Sequence, residues 1–190
     1  DNCSGNPEVQ KITAEFSARD KRIKVFRQSV NIGLENNFNF VYSMSGAPYF
    51  IWMSDDDLFD ANYIEECVKF LEENPDYVLC SGVVKYNSDG QDGYKETMFK
   101  VDQSSISSRL YHYFSSVQKN GIFYGVFRNK LILERPLRPH IGCDISFVAQ
   151  LAVFGKLSYV DSTSIQRSAE GNSENRKKMV RGLGLFKNMF

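Results

Sequence analysis

The chain has 190 residues, is 42% hydrophobic and 14% aromatic, and balances 23 lysines and arginines against 23 aspartates and glutamates. That length and apolar content suit one domain with a substantial core and exclude an intrinsically disordered chain. Zero formal net charge excludes a global field that would draw the protein to nucleic acid, so functional charge has to be local.

Val9, Ile12 and Phe16 recur at helical spacing behind Pro7, which predicts a helix over residues 7–19. Ile23 to Phe26 reads as a short strand. A loop at Asn31-Ile32-Gly33 and a second helical segment ending near Gly46-Ala47-Pro48 follow. Residues 49–53 ("YFIWM") are an unbroken apolar run, the pattern of a strand buried on both faces. Ile64, Cys67, Val68 and Leu71 mark the apolar face of a helix stopped by Asn74-Pro75. Tyr77 to Tyr86 reads as a strand, and Asn87 to Gly93 carries turn chemistry. A helix near 104–118, a strand at Ile122 to Phe127, an amphipathic helix from Ile145 to Ala152 closed by Gly155, and a strand at Leu157 to Val160 complete the pattern. Alternation of helix and strand over residues 1–100 predicts a mostly parallel α/β sheet flanked by helices. No segment is rich enough in Gly, Pro or Ser to divide the chain, so a single domain is expected.

The four cysteines, Cys3, Cys67, Cys80 and Cys143, form no Cys-x-x-Cys pair and have no histidine cluster beside them, which speaks against zinc. Cys67 and Cys80 read as small buried hydrophobes, and the set suits a reducing compartment. There is no signal-peptide pattern and no apolar run long enough to span a bilayer, so a cytoplasmic location is expected.

The apolar run leads through Ser54 into three consecutive carboxylates, Asp55, Asp56 and Asp57. In a parallel α/β sheet, ligands bind beyond the carboxyl ends of the strands. Neighbouring like charges in a partly desolvated place repel, and a bound cation relieves the repulsion. All-oxygen ligation suits Mg²⁺ or Mn²⁺, which complete their shells with water and substrate phosphates. The competing explanation is that Asp57 or Asp60 caps the helix that follows. Trp52 reads as core. His112 and His140 read as surface or helix residues rather than ligands. Arg167 reads as an ordinary surface arginine by default, with an electrostatic role as the alternative.

The segment "YFIWMSDDDLFDANYIEECVKFLEENPD" resembles the part of family 2 glycosyltransferases that carries the DxD motif: an aromatic strand, an acidic cluster and a helix ending in Asn-Pro. Upstream, "DNCSGN" and "RDKRIKVFRQSVNIGLENNFN" resemble the family's D(D/N)xS and NxGxxxNxN stretches. Downstream, "NGIFYGVFRNKLI" and "IGCDISFVAQLAVFGK" resemble its acceptor and general-base region. The resemblance implies a GT-A fold, with a mixed sheet flanked by helices and cut short at its N-terminus. Residues 1–100 would be the nucleotide-sugar part and 101–175 the acceptor part. It implies an inverting, metal-dependent transfer from a nucleotide-sugar donor, a UDP-sugar above all, to a saccharide or lipid-linked acceptor. Cell-envelope polysaccharide synthesis is the implied setting. Asp1, Asn31, Gly33, Asp55 and Asp57 match nucleotide-sugar positions. Asp56 matches the principal ligand of Mg²⁺ or Mn²⁺, and Asp144 matches the general base. The familiar Asp-x-Asp spelling would have an acid at Ser54, and Cys143 stands where the family often has another. Without the resemblance, Asp144 reads as a helix cap.

Two alternatives remain open at this point. An Asp-nucleophile phosphohydrolase would use Asp55 and Asp57. A non-catalytic nucleotide- or carbohydrate-binding module would keep the fold with Asp144 turned away from the acidic cluster. Family members open with a strand, a helix and a second strand before the D(D/N)xS stretch, where this chain begins. A fragment of a longer enzyme is therefore expected, with weak or no nucleotide binding by residues 1–190 alone and self-association through uncovered strand edges. Residues 176–190, "RKKMVRGLGLFKNMF", mix basic and apolar side chains. They suggest a helix docked on the domain or, alternatively, one lying on the inner face of a membrane.

Overall fold

The computed structural model describes residues 1–88, 91–131 and 136–168; the basic tail at 176–190 lies outside them. Helix α1 (Pro7–Arg19) begins where the Asn6 side chain accepts from the Glu8 amide, with Pro7 in the first turn and Arg19 in the last. It buries none of its residues: Ile12 and Phe16 are about half exposed, at 50% and 51%. The strand expected over Ile23 to Phe26 does not form. Ile23, Val25 and Phe26 are exposed, and the backbone pairs singly: the Asp1 amino group donates to the Phe26 carbonyl at 2.7 Å, and the Gln28 amide donates to the Asp1 carbonyl at 2.9 Å. A β-forming sequence without a neighbouring ladder gains little from extension.

The chain continues through α2 (Leu34–Ser43), β1 (Tyr49–Phe50), β2 (Leu58–Phe59), α3 (Tyr63–Glu73), β3 (Tyr77–Ser88), β4 (Gln91–Lys95), α4 (Ile106–Ser116), β5 (Val126–Arg128), α5 (Cys143–Phe154) and β6 (Lys156–Ser168). Short 3-10 turns cover Gly121–Tyr124 and Asn129–Leu131. The strand order is β1-β5-β3-β6-β2, with β4 joined to β3. Only β3 and β6 run parallel among the described residues; β1–β5, β2–β6, β3–β4 and β3–β5 are antiparallel. The mostly parallel sheet expected from alternation is thus corrected to a mixed one. Periodicity locates a strand but carries neither its direction nor its neighbour. Helices α4 and α5 lie between β3 and β6 in sequence and supply the long connection a parallel neighbour needs.

Two apolar layers sandwich the sheet. One gathers Tyr42, Trp52, Leu79, Tyr113, Phe127, Phe147, Leu151 and Leu157 beneath α2, α4 and α5. The other gathers Tyr63, Cys67, Leu71, Cys80, Val84, Val126 and Ile165 beneath α3. Successive residues Leu79 and Cys80, and Val126 and Phe127, fall into opposite layers, as the strand period requires. The run at 49–53 behaves differently from a strand buried on both faces: only Tyr49 and Phe50 pair, Trp52 is buried and Met53 is exposed. The indole of Trp52 stacks on Phe123 at 5.2 Å and meets Phe147 edge-on at 4.9 Å, which locks the end of that run into the core. The strand expected over Ile122 to Phe127 divides into a 3-10 turn and β5, entered through Asn120 in the left-handed region (φ 55°). Cys67 and Cys80 are fully buried and free, as the sequence suggests. No helix among the described residues is long and apolar enough to cross a membrane.

Candidate active site

The acidic triplet sits in the turn between β1 and β2, and its members part company there. Asp57 turns inward. Its side chain is 2% exposed, and Arg167 Nε donates to its Oδ2 at 3.2 Å. Sheet register explains the meeting: Leu58 pairs with Gln166 and Phe59 with Ile165, so Asp57 and Arg167 stand one step further along the same antiparallel run. Asp55 and Asp56 face solvent. Ser54, where the familiar motif has an acid, donates its hydroxyl to Asp56 Oδ1. The triplet therefore relieves its own repulsion partly by division, one charge in and two out. Neither Asp57 nor Asp60 caps the next helix. Asn62 occupies that position without a side-chain cap, while Asp60 Oδ2 accepts from the Ser164 amide at 2.6 Å and its hydroxyl at 2.7 Å.

Arg167 corrects its default assignment as a surface arginine. Its side chain is 19% exposed, and its guanidinium lies 4.2 Å from the Tyr124 ring centroid and 5.7 Å from that of Tyr86. Burial raises the Tyr124 phenol above its ordinary pKa; Arg167 opposes the rise, and Asp57, Asp56 and Asp144 add to it.

Asp144 lies in the first turn of α5, but Gly142 (φ 78°) is the N-cap and the carboxylate caps nothing there. Instead Asn120 Nδ2 donates to Asp144 Oδ2 at 2.9 Å, and the Tyr113 hydroxyl donates to Asn120 Oδ1 at 2.7 Å. Burial, followed by Asp144 and Glu35, pushes the neighbouring Cys143 thiol up to about 11. Burial and then Asp144 likewise raise Tyr113.

Asn31 and Gly33 are tied together by Asn2, the residue after Asp1, and Asp1 itself is held elsewhere. Asn2 Nδ2 donates to Asn31 Oδ1 at 3.0 Å and to the Gly33 carbonyl at 3.2 Å, and Asn2 Oδ1 accepts from the Ile32 amide at 3.0 Å. Asp1 pairs with Arg27 and accepts from the Ser4 amide at 2.8 Å. Gly33 caps α2 at φ +85°, a backbone region that a side chain disfavours. His112 lies on α4 beside Phe99, and His140 is exposed and meets its neighbour's carbonyl; neither joins the acids.

Among the described residues, no group of three or more His, Cys, Asp or Glu is arranged to hold an ion by itself. The donor set nevertheless fits a hard cation of the Mg²⁺ type, which takes one or two carboxylates and leaves the rest of its shell to water and phosphate. Exposed Asp55 and Asp56 offer two such carboxylates.

Sequence reasoning missed Asn120, Tyr113 and Tyr124. The pair Asn120-Gly121 was a visible signal, since Asn before Gly marks a backbone that enters the left-handed region. Tyr113 and Tyr124 offered none.

This architecture is a GT-A fold. It superposes on the crystal structure of S. aureus TarS 1–349 with a TM-score of 0.62 at 14% identity, covering 97% of this chain and 53% of that one. The chain belongs to glycosyl transferase family 2, whose model matches residues 1–139. An uncharacterized glycosyltransferase of Haemophilus influenzae is 35% identical over 68 residues, 36% of this chain and 21% of its own length. The uncharacterized protein y4gI of Sinorhizobium fredii is 26% identical over 76 residues, 40% of this chain and 8% of its own length. The matched stretches thus span only about a fifth or less of these curated relatives. Asp144 falls beyond the stretch that the family model matches.

Proposed function

We propose that the protein transfers a sugar from a UDP-sugar to a hydroxyl of a saccharide or lipid-linked acceptor, with inversion and with Mg²⁺ or Mn²⁺. The observation that carries this reading is the exposed pair Asp55 and Asp56, presented by the β1–β2 turn of a domain that belongs to glycosyl transferase family 2. Such a displacement needs carboxylates for the cation and a base for the acceptor hydroxyl, roles that Asp55 with Asp56 and Asp144 would take.

Asp56, with Asp55 beside it, would hold the cation. Bound there with the donor's phosphates, the cation would offset the charge that builds on the departing diphosphate. Asp57 and Arg167 fix the turn that presents those two side chains. Asp1, Asn31 and Gly33 belong to the nucleoside end of the donor. Asp144 accepts the proton of the acceptor hydroxyl, whose oxygen attacks the anomeric carbon from the face opposite the diphosphate. The carbon–oxygen bond to the diphosphate breaks as the new glycosidic bond forms, which inverts the configuration.

A phosphohydrolase built on Asp55 and Asp57 would need the second acid free to exchange a proton with substrate. The burial of Asp57 against Arg167 argues against that use. The test is a panel of UDP-sugars with Mn²⁺ or Mg²⁺ and the natural full-length protein. Metal-dependent UDP release supports the proposal, phosphate release from phosphomonoesters supports the hydrolase, and neither product supports a binding module.

A further inference from the structure

We propose that Asn120 is the positioning residue for Asp144, an inference that rests on Asp144 acting as the general base. Asn120 is 2% exposed and sits at φ 55°, ψ 35° on the corner between α4 and the 3-10 turn. Its amide nitrogen donates to Asp144 Oδ2 at 2.9 Å. Among the described residues, no hydrogen bond is made to Asp144 Oδ1, and the residue is partly exposed. One carboxylate oxygen is therefore tethered, and the other is left to take a proton from an incoming hydroxyl.

The amide cannot serve in the flipped orientation, because its oxygen would then face a carboxylate oxygen. Tyr113 complements the productive orientation, its hydroxyl lying nearer the Asn120 oxygen than its other acceptor, the Ile145 carbonyl at 3.3 Å. Its hydroxyl, on a fully buried ring, donates to Asn120 Oδ1 at 2.7 Å. The corner itself is held from the other side. Glu96, 7% exposed, accepts from the Gly121 amide through Oε1 at 3.3 Å and from the Tyr86 hydroxyl through Oε2 at 3.1 Å. A Cβ at Gly121 would run into Glu96 Oε2 and Val84, so this close approach requires glycine. Asn at 120 tolerates the left-handed backbone that aims its amide at α5. Strand β3, the residue that follows β4, α4 and the 3-10 turn thus all contribute to the direction of one N–H bond.

The test uses the natural full-length protein with Asn120→Gly, which removes the amide while keeping the left-handed backbone comfortable. Tyr113→Phe removes only the hydroxyl that orients it. With the UDP-sugar active in the panel, Asn120→Gly should lower kcat roughly 10- to 100-fold, the scale of a misplaced reacting group. The donor KM should stay within about twofold, because among the described residues the Asn120 side chain hydrogen-bonds Tyr113 and Asp144 and none of the donor-side residues. Tyr113→Phe should lower kcat by a smaller factor in the same sense. A readout independent of turnover is the Asn120 side-chain amide resonance, which should sit downfield in the wild type and return toward its ordinary position in Asp144→Ala. A folded Asn120→Gly protein with wild-type kcat, or an amide resonance indifferent to Asp144→Ala, overturns the inference. A wild-type protein that transfers no sugar while that resonance is displaced overturns the base assignment, and with it the catalytic role of the contact.

Discussion

Replacing Arg167 with Met removes the guanidinium and keeps most of its stem. Asp57, 2% exposed at the side chain, would then lose a charged partner at 3.2 Å. Removing one member of a buried pair costs roughly 3–5 kcal/mol, and the 19% exposure of Arg167 puts this pair at the lower end. The cation stacked 4.2 Å from the Tyr124 ring adds about 0.5–1 kcal/mol. A loss of about 3–4 kcal/mol follows, which moves the urea midpoint down by roughly 1.5 M for a slope of about 2–3 kcal/mol/M. The single tryptophan, Trp52, is buried in the core, so its fluorescence reports the transition. Combining Arg167→Met with Asp57→Asn should restore part of the loss, giving a coupling of at least about 1 kcal/mol. A midpoint that moves by less than about 0.3 M, or a coupling near zero, would refute the claim that the two side chains form one buried unit.

Asn39→Ala should destabilise the fold by about 2–3 kcal/mol in the same urea assay, since two buried hydrogen bonds to the Leu137 backbone, at 2.7 and 3.0 Å, are lost together. Asp60→Ala should loosen the β2–β6 edge, seen as faster amide exchange at Ser164, whose N–H it accepts at 2.6 Å; unchanged exchange there would count against that anchor. Alkaline stability should follow Cys143. Its thiol is raised in the fold from an ordinary 9.0 to about 11, so its contribution is fully present below pH 9 and is lost as pH rises through about 11. Cys143→Ser should flatten that part of the stability-versus-pH curve, leaving the fall due to Tyr63, Tyr86 and Tyr113, which burial also raises.

Helices were legible because their signals are local. Pro7 and Asn6 open α1, and Asn74-Pro75 closes α3, as the spacing of apolar residues indicates. Strand direction was not legible, because β2 meets β6 and β3 meets β5 only through the tertiary fold. The acidic triplet advertised a site, yet nothing local distinguishes inward Asp57 from outward Asp55 and Asp56. That distinction depends on an arginine 110 residues away. Asp144 stood out only through family resemblance, and its tether to Asn120 depends on a corner built by Glu96 and Gly121.

The division of labour between Asp56 and Asp144 is tested most directly by calorimetric titration of UDP, in the presence of Mn²⁺, into the full-length protein and its Asp56→Ala and Asp144→Asn variants. The account predicts that Asp56→Ala loses Mn²⁺-dependent UDP binding, while Asp144→Asn binds UDP as the wild type does yet transfers no sugar. Wild-type affinity in Asp56→Ala, or an equal loss of UDP binding in both variants, would contradict it.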